Sequence, residues 1–136
     1  MNVIICLDDK NGMLFNNRRQ SRDALVTEDI LNNLDGKKLK ILPFSKALFD
    51  DSGDCVDVCE SVESLVSKDD VFFLENVSLK IFLDSIDTLT VYRWNRVYPC
   101  DFYCDLDFSL FSLCEEAEFK GNSHEKITKQ IYRRVI

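Results

Sequence analysis

Few residues in this sequence are equipped for chemistry: six cysteines, one histidine, and one carboxylate among arginines at the start of a predicted helix. Cys55 and Cys59 share a spacing with Cys100 and Cys104, leaving Cys114 and His124 as further potential ligands. Structural zinc wants four thiolate or imidazole ligands presented from tight loops. Here Cys55 and Cys59 bracket a predicted strand, neither pair sits in a glycine-rich knuckle, and free cysteine packs in cores as a small hydrophobe. No metal site is assigned. His124 stands alone, too little for a binuclear metal centre. It lacks the local context of a nucleophile elbow, so it reads as a surface or capping residue. No P-loop, GxGxxG or HExxH occurs. Gly12, Gly36, Gly53 and Gly121 are isolated from one another, whereas a backbone cradle for phosphate needs glycines close together.

Asp23 has two readings. It could face a pocket between a sheet and the first helix and donate a proton there, or it could simply satisfy the positive helix N-terminus. Arg18, Arg19 and Arg22 precede it. With Asp23 they form a rim suited to a small anionic or heterocyclic ligand, or else a solvated loop.

The elements that must hold these residues follow from hydrophobic periodicity. Asn2 to Leu7 is a β-branched apolar run, the pattern of a buried central strand. Asp8 to Gly12 is a turn by composition, and Met13 to Gln20 reads as irregular. Ser21 is the expected N-cap of a helix carrying Val26, Ile30 and Leu34 on one face, with Gly36 just past its end. Leu39 to Leu42, Val56 to Val58, Val71 to Leu74, Asp87 to Trp94, Phe108 to Cys114 and Ile127 to Arg134 read as strands, with a helix the alternative for the last. Ser61 to Ser67 and Leu79 to Leu83 read as short helices, and Ser45 to Phe49 as one or two helical turns. Strand and helix alternate early, and strands follow one another late. The expected fold is one α/β domain spanning residues 1–136, with a mixed, mostly parallel sheet, helices on both faces and an antiparallel C-terminal strand.

Composition narrows the partners. The formal charge is −7, from 17 basic and 24 acidic residues. A duplex binder draws its affinity from Lys and Arg on phosphates, so no nucleic-acid partner is expected. The apolar start is broken by Asp8-Asp9, and no stretch is long enough to span a bilayer. No membrane partner is expected, and the chain is expected in the cytoplasm with its thiols reduced.

In their order along the chain these pieces resemble dihydrofolate reductase. Val3-Ile4-Ile5-Cys6-Leu7-Asp8-Asp9-Lys10-Asn11-Gly12 resembles that family's first strand and the opening of its mobile loop. Ser61 to Leu65 resembles the short helix before the cofactor-side strand, and Val71-Phe72-Phe73-Leu74 stands where that strand runs into a glycine pair. Leu83 to Arg93 resembles the segment entering the next strand. Tyr98-Pro99-Cys100-Asp101-Phe102-Tyr103-Cys104-Asp105-Leu106-Asp107 resembles the turn usually written G-D-T-x-F-P-x-[ILF]-D. Ile127 to Arg134 fits the last strand. The resemblance implies Asp23 as the substrate-binding carboxylate and NADPH as the cofactor.

The departures fall on the cofactor side. Glu75-Asn76-Val77 replaces the glycines that meet the cofactor pyrophosphate, and Pro43-Phe44-Ser45 replaces the Gly-Arg that opens a helix toward its phosphate. The Trp and Pro of the substrate-side loop are replaced by Arg18-Arg19-Gln20-Ser21, and the segment between Phe49 and Val56 is short. Glu75 would place negative charge against a dianion. The expectation is a reductase-like domain with its NADPH site lost and no reductase activity, holding at most a small ligand. A regulatory or interaction scaffold, for instance a homodimer, is the first alternative. An active reductase of altered cofactor or substrate is the second.

Overall fold

The computed structural model describes residues 1–62 and 67–135. In chain order the elements are β1 (Asn2–Leu7), β2 (Gly12–Phe15), β3 (Arg18–Arg19), α1 (Ala24–Asn32), β4 (Leu39–Ile41), β5 (Val56–Val58), β6 (Val71–Phe73), β7 (Thr88–Arg93), β8 (Phe102–Tyr103), β9 (Phe111–Phe119) and β10 (Ile127–Arg134). Short 3-10 segments cover Pro43–Phe49, Gly53–Cys55, Lys80–Ser85 and Phe108–Leu110. The expected Ser61 to Ser67 helix, with its Ser61 to Leu65 likeness, falls on residues 63–66, outside the described residues. Its Val62 is buried.

Seven strands form one sheet in the order β5-β4-β6-β1-β7-β10-β9. The first five run parallel, and β10 and β9 close the sheet antiparallel. β1 is central because its pleat buries both faces. Val3, Ile5 and Leu7 enter one core with Phe72, Leu74, Leu89 and Val91. Ile4 enters the other with Val26, Ile30, Phe49, Phe73 and Trp94. A continuous apolar run suits such a doubly covered strand. α1 buries Val26 and Ile30 in the second core and ends near Asp35 and Gly36, which take the left-handed conformation at φ 53° and 82°.

Three local expectations change. The stretch Met13 to Gln20 is the hairpin β2–β3, not an irregular segment. Asn16 and Asn17 supply positive φ at its tip, as a two-residue hairpin turn requires. The N-cap of α1 is Asp23 rather than Ser21, because the Asp23 carboxylate accepts the N–H of Leu25 at 2.9 Å. The strand expected at Phe108 begins at Phe111 and continues to Phe119. Its solvent-side alternation of Glu and apolar residues hides it from a periodicity reading, since nearly all of it is exposed at the sheet edge. Among the described residues no helix is long and apolar enough to cross a membrane.

Candidate functional site

The β2–β3 hairpin, the start of α1 and the C-terminal ends of β1 and β6 enclose a cavity. Cys6, Arg19, Ser21, Arg22, Asp23 and Glu75 are among its lining residues. The elements deliver these side chains for local reasons. The carboxylate of Asp8 ends β1 by accepting the N–H groups of Lys10, Gly12 and Tyr98 and the side-chain amide of Gln20. Burial raises the cost of that charge, but these four donors outweigh it and hold the Asp8 carboxyl below the usual carboxylate range. Asp8 thereby fixes both Gln20 and Tyr98 beside the cavity.

At one end of the cavity Glu75 follows β6, turned inward and 8% exposed. A carboxylate buried there is unfavourable unless paired. Arg19 Nε and Nη2 meet its two oxygens at 2.9 and 3.0 Å, and the Ser45 hydroxyl donates to Oε2 at 2.6 Å. Arg19 also donates to the Phe44 carbonyl at 3.1 Å and lies 5.2 Å from the centre of the Phe44 ring. The two-pronged geometry is that of a bidentate guanidinium–carboxylate pair. Hydrogen bonding to Glu75 raises the pKa of Arg19, while burial first, and the Glu75 charge second, push the Cys6 thiol far above its ordinary value. Cys6 is therefore held as the neutral thiol. Phe44, Ser45 and Glu75, which stand on the two cofactor-side segments that depart from the reductase pattern, thus form one unit closed on Arg19. The cavity left between this unit and α1 has about 20 Å³ of room, enough for about one water molecule.

At the other end the Asp23 carboxylate is saturated. It accepts the N–H groups of Asn122 (2.8 Å), Ser123 (2.9 Å) and Leu25 (2.9 Å), and His124 Nδ1 lies 2.9 Å from Oδ2. Burial opposes ionisation, but the hydrogen bonds from Asn122, His124, Ser123 and Leu25 prevail and hold the carboxyl far below the usual range. Gly121 admits this approach, because a Cβ there would sit 2.5 Å from Asp23 Oδ2.

His124 is not at the surface, as its isolation in the sequence suggested. It is 5% exposed and stacks on Trp94 with ring centres 4.7 Å apart. With Nδ1 protonated toward Asp23, Nε2 is an acceptor. It faces the Ser21 hydroxyl at 3.0 Å and the Tyr98 hydroxyl at 3.1 Å. Sequence reasoning missed this cluster because its members lie about a hundred positions apart. The only local signal was a lone His following Gly121, Asn122 and Ser123.

The structure brings Arg19, Arg22 and Asp23 to one cavity and sets Arg18 elsewhere, in an exposed depression with Phe15, Asn16 and Tyr98. Glu75 lines the cavity, whereas Pro43 and Asn76 are exposed and Phe44 and Val77 partly buried. The cysteines are free thiols, and among the described residues no three potential ligands gather for a metal.

A mostly parallel sheet with an antiparallel end, and a cleft between hairpin, helix and strand ends, is the fold of dihydrofolate reductase. The dihydrofolate reductase from Enterococcus faecalis, solved in complex with NADP(H) and RAB-propyl, is similar over 100% of this chain and 97% of its own, with a TM-score of 0.71 and 13% identity. No protein-family model and no curated protein matches the sequence. The likeness is one of fold.

Proposed function

We propose that this chain is a divergent dihydrofolate reductase-like domain that does not carry out NADPH-dependent reduction. The Arg19–Glu75 pair carries this reading. A cofactor pyrophosphate placed beside β6 would meet a carboxylate whose one strong cationic partner already spends two donors on it and a third on Phe44. A dianion would have to displace Glu75 from Arg19 and Ser45, leaving a buried charge unpaired. The residues present do not fit the cofactor. With about 20 Å³ of room left beside the pair, a ligand of this cavity is very small or binds only at its rim, where Arg22 is exposed.

Titration with NADPH tests the reading. A ligand at 100 times its Kd adds about 2.7 kcal/mol to stability, so millimolar NADPH should leave the melting temperature unchanged. A rise of several degrees, or oxidation of NADPH with dihydrofolate, would overturn the proposal.

A second reading, a scaffold for a protein partner or a second copy, is favoured by β9. This nine-residue edge strand has its outer hydrogen-bonding side unpaired in the sheet order, and Leu113 on it is 47% exposed. Long open edges invite strand addition. Sedimentation velocity across a concentration series reads self-association, and a Leu113→Lys change should reduce it.

A further inference from the structure

We propose that Ser21, His124 and Asp23 form a nucleophilic relay and that Ser21 accepts small acyl groups from activated esters. The three side chains make the chain of contacts such chemistry needs: Ser21 Oγ to His124 Nε2 at 3.0 Å, and His124 Nδ1 to Asp23 Oδ2 at 2.9 Å. The order along the sequence is irrelevant, since this constellation is defined by geometry and roles.

Each member is held as its role requires. Asp23 is anchored by three backbone N–H groups and the Ser123 hydroxyl, so it stays a fixed anion that orients the ring and stabilises the imidazolium. His124 is clamped between that carboxylate and the Trp94 face, with Nδ1 meeting Asp23 and the Ser123 hydroxyl and Nε2 meeting the hydroxyls of Ser21 and Tyr98. Ser21 is half-buried and lines the cavity. Arg22, the next residue, lines the same cavity. A cluster that served only to cap α1 would need Asp23 and the 122–124 backbone. It would not need a histidine whose far nitrogen meets a serine.

The reaction balances without a cofactor. Ser21 Oγ attacks the ester carbonyl as its proton passes to His124 Nε2. The tetrahedral adduct collapses, the C–O bond to the leaving alcohol breaks, and that alkoxide takes the proton from His124. Water, deprotonated by the same nitrogen, then attacks the Ser21 ester and releases the carboxylic acid. With room for about one water molecule behind it, Ser21 is approached from its solvent-facing side, and the interior offers no pocket that would select a longer acyl chain.

The test incubates the full chain with p-nitrophenyl acetate and, separately, with diisopropyl fluorophosphate. Peptide mass spectrometry after acid quenching then locates any adduct. The expected result is a burst of p-nitrophenolate and a single adduct on Ser21, absent in Ser21→Ala and retained in Tyr92→Phe. Asp23→Asn should slow labelling by about 100-fold or more, the scale of lost general-base assistance. A wild-type protein that gives no Ser21 adduct with either probe overturns the proposal, as does an adduct on Tyr98 in its place. Labelling of Ser21 at the same rate in Asp23→Asn also overturns the relay.

Discussion

Replacing Glu75 by Gln should destabilise the protein by about 2–3 kcal/mol, a loss that follows from the pair Glu75 makes. The carboxylate accepts two charge-assisted hydrogen bonds from Arg19 and one from Ser45. Removing one partner of a fully buried pair costs about 3–5 kcal/mol, mostly because the other charge is left unpaired. Here the side chains of Arg19 and Glu75 are 22% and 9% exposed. Water can reach the guanidinium, and the Phe44 carbonyl still holds it, so the full penalty is reduced. The amide of Gln keeps one acceptor but turns a donor toward Arg19 or Ser45. Arg19→Gln should cost a similar amount, and the double variant should cost less than the sum, with a coupling energy of about 1.5 kcal/mol or more. Urea denaturation followed by circular dichroism measures all three. A loss below about 0.5 kcal/mol for Glu75→Gln, or strict additivity in the double variant, would show that the pair neither closes the cavity nor stabilises the fold. The proposal that this pair excludes the cofactor would then fail with it.

Other consequences can be measured independently. Gly121→Ala puts a Cβ 2.5 Å from Asp23 Oδ2 and 3.1 Å from the His124 carbonyl, so overpacking should cost about 1–3 kcal/mol in thermal unfolding. Asp23 has its folded pKa lowered, so the stability it contributes is fully present above its unfolded pKa of about 3.9. That stability is lost as pH falls through the folded value, and Asp23→Asn should flatten the acid limb of a stability-versus-pH curve below about pH 4. An unaltered limb would remove the carboxylate from the set that drives acid unfolding. Tyr92 donates to Asp29 at 2.6 Å, and Lys129 meets the same carboxylate at 2.8 Å. Tyr92→Phe should cost about 1.5 kcal/mol without affecting Ser21 labelling, since Tyr92 lies outside the cavity lining.

The sequence alone determined the covered strands of the sheet. Asn2 to Leu7 and Ile127 to Arg134 match β1 and β10 residue for residue, because burial on both faces or steady alternation leaves a local signature. It also marked Glu75 and Pro43-Phe44 as departures from the pattern the chain resembles, since a glycine replaced by a larger or charged residue is visible in one dimension. Only the tertiary structure decided what those residues do. Arg19, placed on a ligand rim by its neighbours, is the partner of Glu75 some 56 positions away. His124, which had no neighbour to explain it, meets Asp23 and Ser21 about a hundred positions upstream. Pairing energy between buried polar groups depends on distance in space and on the exclusion of water. Sequence separation carries neither, so a strand can be read from its own residues while a site built across the sheet cannot.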